Sequence, residues 1–426
     1  MSAILPLLSF LLITISISLN NGSFLGNLSP VILLAISQIL LAVYLFSPPR
    51  KNPASIIWLE ASVIAVLVFF ALIPGGWWIN DKNSITLIQT LSSLLLLPVF
   101  FIIAGKKTLI KNVLAVFAFF LLYAFILRLI MLLGSPYPAI DVFIILKEAP
   151  QKILQAVNPY QTLYTYVFPG INPDYYAYWP ASFILELPAV LIFNDPRYLL
   201  MFADLSAGVL LFILGGKNAS SLLISILYFF RPMSLSITEA SWLTPLNFFL
   251  ITAIYYVLKK SRNYFLAGTL MGLLVAVQFF FFLLFIYLAK SLYLNKKFIL
   301  SFFITVALFV LPFFLLNPDN FINQTVGVYF RNPPHPSILI HTSLSLNTLF
   351  YVFTTHDLPL FLIFSVYLII FLITLRKTHT LTDSLLYFTL MLLTVFVFGR
   401  QAFINYYYLI ASLLLLYLTS KTYADT

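Results

Sequence analysis

Apolar runs of membrane-spanning length, separated by short polar or basic connectors, make up most of the chain. Runs at 3–19, 29–47, 56–73, 85–104, 111–133, 242–258, 298–316, 358–375, 384–398 and 403–419 each predict a membrane helix, because about 20 apolar residues cross the roughly 30 Å of hydrocarbon in a bilayer. Three shorter apolar pieces lie at 180–193, 199–214 and 219–237, and a longer stretch, 264–289, is interrupted near Gln278. For consistent sidedness, 180–193 and 199–214 together supply one crossing, and 264–289 goes out and returns as two half-helices. Broken helices at membrane depth are tolerated where protein buries them or a wet cavity takes up their backbone polarity, so the middle of the chain predicts a cavity. Two intervening segments, 134–179 and 317–357, are too long for turns and rich in Tyr, Trp, Phe and Pro, which marks them as built loops. In the first, Val142, Ile145, Leu146 and Ala149 recur at helical spacing. They predict a short interfacial helix or helix pair, broken at Pro150.

Composition sharpens this picture. Of 426 residues, 62% are hydrophobic and 8% charged, against about 25% charged in soluble domains. That excludes a cytosolic enzyme, a secreted scaffold and a disordered chain. The net charge of +10 forms no basic domain, so a nucleic-acid partner is excluded too. The clusters at 50–51, 106–111, 217, 259–262, 290–297, 376–377 and 421 put 15 of the 23 Lys and Arg on one face. The positive-inside rule makes that face cytoplasmic. The first 19 residues lack a basic n-region and a small-residue cleavage site, so they are expected to remain as a span. The chain has no Cys, which removes disulfides, thiolate catalysis and Cys-bound zinc. The expected fold is all-α and polytopic, with about 11–14 membrane helices and short interfacial helices in the external loops. Three regions follow: a four-span extension at 1–110, a membrane core at 111–316 carrying loop 134–179, and 317–426 with the second loop and the last spans.

With 13 acids in the chain, the search for chemistry is short. Glu186, Asp204 and Asp195 sit in apolar surroundings, where a carboxylate is a functional candidate by default. Asp141 follows the fifth span after Tyr137-Pro138-Ala139-Ile140 and opens the aromatic loop. A carboxylate at the membrane surface, beside the level of lipid head groups, can act as general base on a hydroxyl. The plainer alternative is a helix N-cap, and one residue can serve as both.

Asp141, then an amphipathic stretch, then Asn158-Pro159-Tyr160, then Tyr178-Trp179-Pro180 opening the next apolar segment, resembles the first external loop of GT-C glycosyltransferases. The likeness is to the polyprenol-phosphate-mannose-dependent mannosyltransferases of glycosyltransferase family 87. It covers about 120–350 and continues to Gly268 and Gly272 before Gln278, where relatives often carry a basic residue. The resemblance implies a GT-C-like fold, Asp141 as catalytic base, a lipid-phosphate sugar donor, and inverting transfer without a metal or other cofactor. No Asp-x-Asp pair occurs in the sequence, in keeping with that mechanism.

A leaving lipid phosphate calls for cations or several hydrogen-bond donors. Arg331 and Arg400 are the external arginines, with Arg231 and Arg128 close behind; the alternative for each is anchoring its span to head groups. Glu239, at the end of 219–237, could bind sugar hydroxyls or serve as an interfacial cap. Asn158, Tyr160, Tyr178, Trp179, Gln278 and His335 complete the candidate substrate-binding set, although Trp and Tyr populate membrane interfaces in any case. His335, His341 and His356 share a loop but match no helical metal spacing, so no metal site is expected. The function expected is transfer of a hexose, mannose by the resemblance, from a polyprenyl- or dolichyl-phosphate sugar to a glycan or glycolipid acceptor. It would take place on the external face of a multi-pass protein among membrane lipids, with a prokaryotic plasma membrane suggested by composition. The rival readings are a transporter or flippase using Glu186 and Asp204, and a polysaccharide polymerase or ligase.

Overall fold

The computed structural model describes residues 4–46, 55–104, 112–329 and 340–422. Among them are twenty α-helices and no β-strand. In order these are α1 (Ile4–Ser18), α2 (Ser29–Phe46), α3 (Ile56–Leu72), α4 (Lys82–Leu94), α5 (Leu96–Ala104), α6 (Val113–Gly134), α7 (Asp141–Leu154), α8 (Ala181–Phe193), α9 (Arg197–Leu214) and α10 (Ala219–Phe229). They continue as α11 (Ser234–Glu239), α12 (Thr244–Tyr256), α13 (Tyr264–Val277), α14 (Phe282–Ser291), α15 (Lys296–Leu316), α16 (Pro318–Thr325), α17 (Leu346–Thr354), α18 (Leu360–Lys377), α19 (Leu381–Phe398) and α20 (Ile404–Thr422). Seven helices are long and apolar enough to cross a membrane, and six shorter apolar helices accompany them. The window of α18 is only 11% buried by protein, and Phe361 on it is 74% exposed. Apolar surface of that extent on a soluble protein would drive association. Lipid is its natural solvent, and the chain is an all-α polytopic membrane protein.

Two compact units divide the chain. The first comprises 1–134, 205–236 and 339–426, the second 135–204 and 237–338.

In the first unit α1 packs on α2 and α20, and α19 lies against α20, α2 and α18. Apolar contact between helices gains little in a bilayer, where lipid tails are equally apolar, so polar ties matter more. The Tyr44 and Tyr417 hydroxyls meet at 2.7 Å, Gln38 donates to Thr394 at 3.1 Å, and the Ser16 hydroxyl donates to the Pro30 carbonyl at 2.8 Å. Asp81 caps α4, accepting from the Ser84 N–H at 2.8 Å and its hydroxyl at 2.7 Å. Gly75 and Gly76 hold φ of +97° and +91°, open to glycine alone at little cost. A Cβ on Gly75 would fall 2.5 Å from the Ser236 hydroxyl, so this turn sits directly on Ser236. Beside it lies a cavity of about 230 Å³ lined by Asn21, Trp77, Ile85 and Gln89 among others.

The apolar piece 219–237 is broken into α10 and the start of α11. Pro232 cannot donate to the ladder and its ring clashes with the preceding turn, so α10 stops at Phe229. Met233 then takes φ +67° before α11. Arg231 is therefore buried at 0% exposure and not at an exposed span end.

In the second unit α13 and α15 form the closest helix pair, with α12 against α13, and α7 and α13 against α8. Pro150 does not break the interfacial helix: α7 runs through it to Leu154, burying Phe143, Ile144, Ile145, Leu146, Ala149 and Pro150. The interruption at Gln278 is real. That residue is extended (φ −145°, ψ 116°), and the Val277 carbonyl accepts from the Trp179 N–H at 3.0 Å. At its other end, α8 leads through Asn194, in the left-handed region, to Arg197, whose guanidinium reaches the Ser135 carbonyl at 2.7 Å. The start of α8 is thus tied to the end of α13, and the residues after it to the segment before α7. Of the two short pieces, α9 is the one long and apolar enough to cross a membrane.

Candidate functional site

Asp141 is the first residue of α7, with Ile140 in the cap position. The cap expected of Asp141 therefore lies one residue earlier. Its carboxylate is half-buried and accepts from the Val142 N–H at 2.8 Å, where the helix dipole favours negative charge. The helix packs on α8 and on the Pro159–Gln161 turn. Asn158 caps that turn by accepting from the Tyr160 N–H at 3.0 Å.

Around this turn the aromatic loop is built rather than floppy. Tyr160 is 1% exposed, donates to the Tyr178 carbonyl at 2.8 Å and lies edge-on to Phe321, with ring centroids 5.0 Å apart. The Tyr176 N–H donates to Gln324 at 3.2 Å, and its hydroxyl meets that of Ser182 at 2.7 Å. Burial first, then the Glu148 carboxylate, push the Tyr164 phenol well above its ordinary range. Its hydroxyl stays protonated and donates to the Pro159 carbonyl at 2.7 Å. The 134–179 loop and the 317–329 segment thus share one aromatic cluster.

Trp179 stacks on Phe279 (5.8 Å, 21°), and Gln278 accepts from the Asn247 amide. The second unit accordingly gathers Asn158, Tyr160, Tyr178, Trp179 and Gln278, with Asn247 added. Among these side chains three buried polar atoms have no partner: Asn158 Nδ2, Trp179 Nε1 and Asn247 Oδ1. Buried polar groups are nearly always satisfied, and an exception asks for a water or a ligand. Each of the three has a hydrogen bond left to give or take. Glu186, on α8, is likewise 0% exposed with both carboxyl oxygens unpartnered. Glu239, at the end of α11, is also fully buried.

The candidate arginines differ in setting. Arg128 is fully buried and donates to the Ala124 and Phe229 carbonyls, both at 3.1 Å. Arg231 donates to the Ser412 hydroxyl at 2.7 Å, with its guanidinium 3.4 Å from the Tyr408 ring centre. Arg400 is 37% exposed, pairs with Asp357 at 3.3 Å and leaves its Nε without a partner. Arg331 and His335 lie outside the described residues.

Asp357 collects Arg400, the His341 ring at 3.2 Å and the Asn347 amide at 2.9 Å, while His341 stacks on Tyr351 at 3.5 Å. Partial burial pushes the Asp357 pKa up, but the Asn347 hydrogen bond and the Arg400 and His341 interactions outweigh it, and the net shift is downward. A lowered folded-state pKa contributes stability above the unfolded value of about 3.9, and that contribution fades as pH falls through the lower, folded one. Exchange protection of residues 340–358 should therefore hold steady between pH 7 and about 5. It should drop only below about pH 4, and Asp357→Asn should abolish that drop.

Sequence reading did not foresee Asn247, an amide inside an apolar helix, or the role of Arg197. The Asp195-Pro196-Arg197 spacing was the available signal for the latter. Compared with known proteins, the chain matches no family model, no curated protein and no solved structure.

Proposed function

We propose that this is a membrane glycosyltransferase of GT-C-like architecture. It moves a hexose from a polyprenyl-phosphate sugar to a glycan or glycolipid acceptor on the external face, with inversion. The observation that carries the reading is Asp141, half-buried at the start of α7, on a helix packed against the turn of Asn158 and Tyr160. The acceptor hydroxyl gives its proton to the Asp141 carboxylate. Its oxygen bonds to the anomeric carbon as the carbon–oxygen bond to phosphate breaks, and the electron pair leaves with the polyprenyl phosphate. Asn158, Trp179 and Asn247 supply the donors and acceptor that orient sugar hydroxyls, and Trp179 offers a ring face. The test is transfer of labelled hexose from the lipid phosphate to candidate acceptors by purified protein.

For the developing phosphate charge the sequence offers Arg331 and Arg400, since Arg128 and Arg231 are enclosed by their carbonyl and aromatic partners. Arg331→Ala and Arg400→Ala should each raise the donor KM by about tenfold, the loss of one charge-assisted contact. Normal donor KM in both variants would remove the arginines from the mechanism.

A second reading, a proton- or ion-coupled transporter, rests on the unpartnered Glu186 carboxyl. Substrate counter-flow in liposomes, lost in Glu186→Gln and unaccompanied by sugar transfer, would favour it.

A further inference from the structure

Arg197 is 0% exposed, yet its guanidinium is fully engaged. Nε lies 3.0 and 3.1 Å from the two Asp195 carboxylate oxygens, and Nη2 lies 2.6 Å from one of them. Asp195 also accepts from the Arg197 N–H at 2.9 Å, which locks the acid to the start of α9. Nη1 donates to the Ser135 carbonyl at 2.7 Å, and the guanidinium lies 4.9 Å over the Phe143 ring. These contacts bracket a short segment. Ser135 is its first residue, Asp141 its last, and Phe143 stands two positions beyond. Between them, Pro136 and Pro138 fix φ, and the Ile140 N–H closes a turn onto the Pro138 carbonyl at 2.9 Å. One guanidinium thus pins both ends of a stiff loop that ends on the proposed base.

A buried ion pair is a poor source of net stability, because desolvation offsets most of the attraction. It does fix geometry, and only an Arg fork can grip a carboxylate, reach a carbonyl and lie on a ring at once. We infer that Arg197, braced by Asp195, is the positioning residue for Asp141, holding its carboxylate where an acceptor hydroxyl arrives. The inference rests on the reading of Asp141 as the base.

The absence of cysteine makes the test direct. A nitroxide label on Tyr137→Cys, a position 65% exposed, reports on the loop without any assay of transfer. Arg197→Lys and Asp195→Asn should each raise label mobility. Each should also lower kcat about 10–100-fold at unchanged donor KM, as misplacement of a reacting group by about 1 Å does. Unchanged spectra in both variants, or changed spectra with kcat intact, would overturn the assignment. Should Arg197→Lys fail to fold, Asp195→Asn keeps the arginine and carries the same test. Asp141→Asn in the labelled background separates the two ideas: full activity there sinks the transferase reading, while the spectra of the Arg197 and Asp195 variants still decide the clamp.

Discussion

Asp141→Asn should abolish sugar transfer, lowering kcat by about 10²–10⁴-fold, the range expected for a lost general base. The substitution keeps shape and leaves an amide oxygen able to accept from the Val142 N–H, as the carboxylate does at 2.8 Å. Helix α7 should therefore survive, and circular dichroism and elution in detergent should match the parent. Donor binding, measured separately with lipid-phosphate sugar, should change little, because the residue acts on the acceptor. Glu at the same position should recover only part of the activity, since one added methylene shifts the carboxylate by more than a reacting geometry allows. Wild-type turnover in Asp141→Asn would end the case for catalysis at this residue.

The second large effect concerns folding. A Cβ on Gly272 would lie 2.7 Å from the Phe302 carbonyl oxygen and 2.7 Å from Thr305 Cβ, and one on Gly268 would clash with the Phe298 carbonyl. The pair forms a Gly-x-x-x-Gly face through which α13 and α15 approach backbone to backbone, where no side-chain movement relieves the clash. Gly272→Ala should cost about 1–3 kcal/mol, the usual penalty of overpacking. Gly272→Val should yield little folded protein. Thermal unfolding in detergent, followed by size-exclusion fluorescence, measures both. Gly170→Ala is the control: it has positive φ but open space, and should cost about 1–2 kcal/mol from backbone strain. A loss in Gly272→Val no larger than in Gly170→Ala would show that the α13–α15 contact is not special.

The helices were legible because the bilayer enforces them: the ten long apolar runs from 3–19 to 403–419 are helical with ends within a few residues, 85–104 as the consecutive helices α4 and α5. Interruptions were legible only in part. The stop at Phe229 follows from Pro232, a signal present in the sequence but overridden by the apolar run around it. Pro150 carried the same signal and yet sits inside α7, buried against neighbours that hold the helix together. Side-chain pairings were not legible at all. Nothing local links Asn247 to Gln278, Tyr176 to Gln324 or Arg197 to Ser135, because each depends on which helices become neighbours. The aromatic loop could be recognised as built, but the unpartnered atoms of Asn158 and Trp179 in it, and of Asn247 on α12, emerge only once the packing is known.

Helix α18 has a consequence for how the protein senses its surroundings. Its 18 residues measure about 27 Å, a little short of the hydrocarbon thickness of about 30 Å. A span shorter than the hydrocarbon is accommodated by local thinning of the bilayer or by snorkelling of its flanking residues, and with so little protein against it α18 leaves that adjustment to the lipid. Leu360 begins the helix three residues after Asp357, so strain at that end of α18 bears on the anchor shared by Arg400, His341 and Asn347. Thickness of the host bilayer thereby becomes a mechanical load on that anchor.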